Sequence, residues 1–261
     1  MFKKTIEYTC VFTCLVMAFA CFGASAATDR AQKIRNILSK ARATNLEIYA
    51  NLHSFVCDEA IQRFKGSLGS ENGREIDTLH ATVSFENDVE HYSDIRQNAI
   101  VRPSMARIDG AWSEGEFGTL LRQTEMLLTA HTPVFQGFAD LAEKRAAVFT
   151  MEVDAKNSRW DLEVLSQYHA VPFRTTVWLS QAGGEILKIE RTSTTIPFQV
   201  GISEVRWNVT LKEVSLRGRT WLLPSTGEYV VSYEASRHRE WNLMNFSNYR
   251  RYGSEVAILF E

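Results

Sequence analysis

Apolar and polar residues follow two different periods in this chain, one after the other. From Thr28 to about Tyr49, the residues Ile34, Ile37, Leu38, Ala41 and Leu46 recur at helical spacing, with Arg30, Lys33, Arg35 and Lys40 mostly on the other face. Thr28 or Asp29 is placed to cap that helix. Downstream the period becomes two. Leu79, Ala81, Val83 and Phe85 alternate with His80, Thr82, Ser84 and Glu86. Ala147, Phe149, Met151 and Val153 form a second series, and Phe173, Thr175, Val177 and Leu179 a third. The cleanest series is Val205, Trp207, Val209 and Leu211 against Glu204, Arg206, Asn208, Thr210 and Lys212. Strict alternation predicts strands with one covered face and one wet face, the signature of an antiparallel sheet.

Turn residues separate these strands. Ala182-Gly183-Gly184 joins 171–180 to 185–194 as a hairpin, and Arg217-Gly218 joins 203–215 to 219–224. Pro224 is expected to end that strand, with Ser225-Thr226-Gly227 opening the next, from Glu228 to Tyr233. The tail offers one or two more strands around Gly253. About ten strands linked by short turns, with no linker between them, predict one domain over residues 27–261. One long apolar sheet face needs a second layer, and helices must supply much of it. The expected fold is α+β: a single highly curved antiparallel sheet, a half-barrel, with helices on its concave face.

The stretch Ile108–Leu121, IDGAWSEGEFGTLL, supplies a second helix. Ser113 and Glu116 have the spacing of a capping box, and Phe117, Leu120, Leu121, Leu127 and Leu128 fall on one helical face up to about Thr129. The glycines raise the alternative of a phosphate loop. Two carboxylates and no Lys or Arg at that position argue against it.

The first residues follow a different pattern. Lys3 and Lys4 precede an apolar run from Cys10 to Phe22 of about a dozen residues, then Ala24-Ser25-Ala26. This reads as a secretory signal peptide over residues 1–26, cleaved after Ala26 or Ala27, too short for a span of roughly 20 residues. Lipidation at Cys21 competes, against poor residues before it. Cleavage removes Lys3, Lys4 and Glu7 and takes the net charge from −2 to about −3. No basic field is left for nucleic acid or an anionic surface, and the mature chain is expected to span no membrane. Cys57 would then be the lone thiol, with no internal disulfide partner. The expected location is periplasmic or secreted.

Catalytic chemistry finds little support. Asp88, Glu90, His91 and Asp94 lie close together, but strand alternation turns His91 away from the other three. Acidic Asp58 and Glu59 beside Cys57 raise its pKa rather than lower it. No G-x-S-x-G elbow is present. Paired carboxylates for glycoside work stay open, because their separation is invisible in sequence. No metal or cofactor is expected.

The blocks FVCDEAIQRF (Phe55–Phe64), GAWSEGEFGTLL, VWLSQAGGEILKIER (Val177–Arg191) and WLLP (Trp221–Pro224) resemble a family of uncharacterised secreted acidobacterial proteins, over nearly the whole mature chain. The hairpins and meander also resemble the LolA-like periplasmic lipoprotein carriers. That second resemblance implies a curved sheet wrapping helices around an apolar cavity. The inward residues Phe149, Met151, Phe173, Val177, Trp207 and Val209, with Phe117 and Leu121 from the helix, are the expected lining. A lipid, acyl chain or lipoprotein held there gains about 0.8 kcal/mol per buried CH₂. The alternative is a non-catalytic envelope interaction module with a filled core.

Overall fold

The computed structural model describes residues 7–52, 55–70, 72–87 and 89–251, with the side chains of the first helix followed from residue 29. The expected strands around Gly253, together with His53 and Asp88, lie outside the described residues. The elements run α1 (Glu7–Leu52), β1 (Phe55–Ser67), β2 (Arg74–Glu86), β3 (Val89–Gln97), β4 (Ile100–Val101), α2 (Thr119–Ala130), β5 (Val134–Leu141) and β6 (Lys144–Val153). There follow β7 (Asp161–Val164), β8 (Gln167–Ala170), β9 (Phe173–Ser180), β10 (Ile186–Ser193), β11 (Glu204–Leu216), β12 (Arg219–Tyr233) and β13 (His238–Arg251).

Eleven strands form one sheet in the order β4-β3-β2-β1-β13-β12-β11-β10-β9-β6-β5, and β7-β8 form a separate hairpin. Every pairing among the described residues is antiparallel. The edges β4 and β5 do not meet, so the sheet is open. Residues as distant in strand order as Leu79 of β2 and Phe149 of β6 share one apolar core with Leu120 of α2. The sheet therefore wraps the helices, and the α+β arrangement read from the alternation is the one found.

Two details differ from what the sequence leads one to expect. Pro224 does not end a strand. It lies inside β12, where the pairing with β11 slips between Thr210↔Thr226 and Leu211↔Pro224, leaving Ser225 as the extra residue of a bulge. A bulge is one of the few strand positions that tolerate a residue without an N–H. The first helix also runs unbroken from Glu7, so Thr28 and Asp29 lie inside it rather than capping it.

That helix docks by polar contacts as much as by its apolar stripe. Ile37 and Ala41 are buried, whereas Leu46 is 53% exposed. One turn beyond Ala41 stands Asn45, whose Nδ2 donates to the carbonyls of Ala41 (2.7 Å) and Gly184 (3.0 Å), while its Oδ1 accepts from the N–H of Ile186 (3.0 Å). Thr44 Oγ1 donates to the Gly183 carbonyl at 3.0 Å. The β9–β10 turn thus sits directly under α1. Gly184 has φ +79°, and a Cβ there would lie 2.7 Å from the Ala41 nitrogen, so both its backbone conformation and its contact require glycine. Among the described residues no helix is long and apolar enough to cross a membrane.

Candidate functional site

The SEGEFG stretch does form an anion cradle, but the protein's own carboxylate occupies it. α2 begins at Thr119 with Gly118 as its N-cap, later than the capping box requires. Glu90, reaching over from β3, accepts at Oε1 from the N–H groups of Gly118 (2.7 Å) and Thr119 (3.0 Å). Its Oε2 accepts from the Gly115 N–H at 3.0 Å and the Tyr92 hydroxyl at 2.7 Å. The orphan donors and the positive end of the helix are answered in trans. Ser113 donates its hydroxyl to the Glu116 carboxylate, so these two side chains pair with each other and form no capping box. Gly118 lets the Phe85 ring close on this turn, since a Cβ would sit 2.3 Å from the ring.

Two more carboxyls lie beside Glu90. Glu59 of β1 is 2% exposed and Glu116 is fully buried. Burial, then the charge of Glu90, push the Glu116 carboxyl up to about 8. Burial, then Glu116 and Glu90, hold Glu59 well above the carboxylate range. Burial raises Glu90 too, against the pull of its hydrogen bonds. Burial and mutual repulsion thus favour the neutral form of Glu59 and Glu116 beside an anchored Glu90. This cluster is closed in behind the loop. Among the described residues no group of three or more His, Cys, Asp or Glu side chains is arranged to hold a metal ion. Cys57 is fully buried, and burial followed by the charge of Glu59 raises its thiol far above the range of a reactive cysteine.

The open site lies on the other side of the same loop. The β7–β8 hairpin, the 106–114 loop and the inner faces of β11 and β12 enclose a groove of about 780 Å³. Trp112, Trp160, Trp207, Tyr229 and Val231 form its apolar wall, and Glu114, Asp161 and Glu163 stand along it. Trp160 links this wall to the core. Its ring lies 6.2 Å from that of Trp207, nearly parallel, and 5.7 Å from that of Phe173, edge-on. A larger hollow of about 1000 Å³ on the outer face is lined by side chains such as Ala60, Gln62, Thr78 and Asn208, with no Trp, Tyr or Phe.

The hairpin wall and the loop wall are held differently. On the loop side, Arg63 of β1 donates from Nε and Nη2 to both oxygens of Asp77 (2.7 and 2.6 Å) and from Nη1 to the Asp109 carbonyl (2.7 Å). Glu240 accepts from the Ala111 N–H at 2.8 Å, and Asn242 donates to the Ala111 carbonyl at 3.0 Å. Burial pushes Asp77 up, but Arg63, Gln97 and Arg102 outweigh it and hold the carboxyl below its usual range. On the hairpin side, Arg191 of β10 donates from Nη1 to Gln123 Oε1 (2.5 Å). Its Nε and Nη2 have no hydrogen-bond partner among the described residues.

The eight expected lining residues are all buried: Phe117, Phe149, Val177 and Val209 completely, Phe173, Met151, Trp207 and Leu121 to within 6%. They belong to one packed core. Trp207 also lines the groove, Leu121 a void of about 10 Å³ beneath α1, and Met151 a surface hollow next to β5. Phe117, Phe149, Phe173, Val177 and Val209 line none of these spaces. Sequence reasoning misses Glu59, Arg63, Glu90 and Arg191 as interior charges, although a signal exists for three of them. Glu59 and Arg63 share the inward phase with Phe55, Cys57 and Ile61, and Arg191 shares it with Leu187 and Ile189. A charge on the covered phase of an alternating strand must find a partner inside. The β7–β8 hairpin escapes too, because four-residue strands carry too little alternation to register.

No protein-family description matches the chain, and no curated protein does. Among solved structures the fold is similar to a DUF1329 family protein from Desulfovibrio piger, at 9% identity over 85% of this chain and 94% of that one, with a TM-score of 0.40. It is similar to the lipoprotein LppX of Mycobacterium tuberculosis at 12% identity, over 82% of this chain and 95% of that one, with a TM-score of 0.28. It is similar also to the MucA/MucB complex of Pseudomonas aeruginosa at 9% identity, over 82% of this chain and 99% of that one, with a TM-score of 0.24. Likeness this distant carries no functional argument.

Proposed function

We propose that this chain is an exported binding protein that holds an acyl-bearing ligand in the groove beneath the β7–β8 hairpin. Residues 1–26 act as the export leader and residues 27–261 as the mature domain, in the periplasm or outside the cell. The observation that carries the reading is the groove itself. Its volume of about 780 Å³ falls within the roughly 300–1,000 Å³ of small-molecule sites, and Trp112, Trp160, Trp207 and Tyr229 meet there. Such rings offer a chain wide apolar contact, and each CH₂ removed from water contributes about 0.8 kcal/mol. Trp207 is the member of the expected lining that connects this groove to the core.

A second reading keeps the protein as an envelope interaction module without a ligand. The filled core favours it, as do Leu165 at the hairpin tip and Phe198 further along the chain, 94% and 88% exposed. Native mass spectrometry of the full-length protein purified gently from the envelope, with an organic extract run alongside, separates the two. A one-to-one adduct of lipid mass, lost in a folded Trp112→Glu variant, is the expected result. A clean mass for the unliganded chain moves the assignment to the interaction module.

A further inference from the structure

Just behind the groove lies a buried cation that the acids of the described residues leave unanswered. Arg191 is 1% exposed. Its guanidinium packs on the Phe173 ring, 4.7 Å from the centroid, and donates once, to Gln123. The Nε and Nη2 edge has no hydrogen-bond partner among the described residues. This is the edge by which a guanidinium grips a carboxylate or phosphate with two parallel bonds. The same protein shows it filled: Arg63 uses Nε and Nη2 to hold both oxygens of Asp77. A buried charge without such a partner is unfavourable.

The surroundings connect that edge to the groove. Arg191 pairs across the sheet with Trp207, whose indole N–H is also buried without a partner among the described residues. Trp160, which lines the groove, packs on Phe173, the ring that carries the guanidinium, and on Trp207, so one aromatic contact separates the guanidinium's ring from the groove wall. The segment carrying it is tied at Trp160, whose carbonyl accepts from the Val171 N–H at 2.8 Å and whose N–H donates to Ser158 Oγ at 3.0 Å. The β7–β8 hairpin has no ladder to the main sheet, and Gln123, the residue that accepts from Arg191, donates to the Arg159 carbonyl at 3.3 Å.

We propose that Arg191 anchors the oxyanion head of the ligand, a carboxylate or a phosphate monoester carried on an alkyl chain. The head lies inward past Trp160 and the tail follows the aromatic wall. This inference rests on the groove reading. Glu114, Asp161 and Glu163 line the groove and disfavour an anion held among them, which assigns the head to Arg191 rather than to the groove surface.

The test titrates the full-length protein, stripped of co-purified lipid, with palmitate, hexadecyl phosphate and neutral monopalmitoylglycerol, read by tryptophan fluorescence and calorimetry. At least one anionic chain should bind about tenfold or more tightly than the neutral one. The stronger of the two anions identifies the head as carboxylate or phosphate. Arg191→Gln should bring the anionic chain down to the neutral affinity without moving the latter, and Arg191→Lys should keep part of the preference. Equal affinity for anionic and neutral chains in the wild type overturns the anchor and leaves the groove standing. A preference that survives Arg191→Gln overturns it as well. If no chain binds, the groove reading itself fails. If the Gln variant does not fold, Arg191→Lys carries the test: a weakened anionic preference supports the anchor and an undiminished one overturns it.

Discussion

Arg63 and Arg191 occupy the same inner sheet face and are equally hidden, at 2% and 1% exposure, yet they are opposite in completeness. Around Arg63 the protein supplies a bidentate carboxylate, a backbone carbonyl and, through Gln97, a second donor to Asp77 at 2.6 Å. Around Arg191 it supplies one amide oxygen and an aromatic ring. Burial accordingly pushes the Arg191 guanidinium down to about 9, with no acid among the described residues to oppose it. The first corner fastens the 109–111 loop, one wall of the groove. The second stands behind the other wall. A buried charge that is fully paired builds structure, and one left open next to a cavity is available to something that arrives from outside.

The contrast is tested hardest at Asp77. Asp77→Ala leaves Arg63 buried without its counter-charge and should lower unfolding stability by about 3–5 kcal/mol, seen as a drop in the urea midpoint at an unchanged slope. Arg191→Met should act with the opposite sign. Replacing an unanswered cation by an apolar chain of similar length should stabilise the ligand-free protein by about 1–4 kcal/mol. A loss of stability there would mean that Arg191 is already compensated, and the contrast would collapse.

The carboxyl cluster is the acidic counterpart of Arg191. Glu116 has its folded pKa raised to about 8, so its contribution is fully present below the unfolded carboxylate range, near 4.5, and is lost as pH rises toward about 8. Stability of the wild type should fall across that window, by at most about 1.4 kcal/mol per pH unit for one group. Glu116→Gln should flatten the fall, as thermal melts at several pH values would show. An unchanged slope would mean that Glu116 is not the group that takes up the proton.

Much of the frame is legible in the amino-acid order alone. The β9–β10 and β11–β12 hairpins sit where glycine turns interrupt period-two runs, and α2 lies where the period turns helical. Local backbone chemistry decides these features, so a local reading finds them. Pro224 misleads because a single bulged residue, Ser225, re-phases the pairing without any mark in the sequence. The SEGEFG stretch misleads for a different reason. Its cap is Glu90, 28 residues from the Gly118 N–H it accepts, and no local pattern names a partner across the fold.

Alternation along the chain is enough to set the class of fold and the identity of the buried face, because it commits each side chain to one side of a strand wherever the partners lie. It therefore also commits Glu59, Arg63 and Arg191 to the interior. What each of them meets there is a matter of the assembled sheet. Strand order brings Asp77 to Arg63 through the β1–β2 pairing, and among the described residues it brings no acid to Arg191. Whether a buried charge meets its complement depends on which strands become neighbours, and neighbours are chosen by the packing of the whole sheet rather than by the residues on either side in the chain.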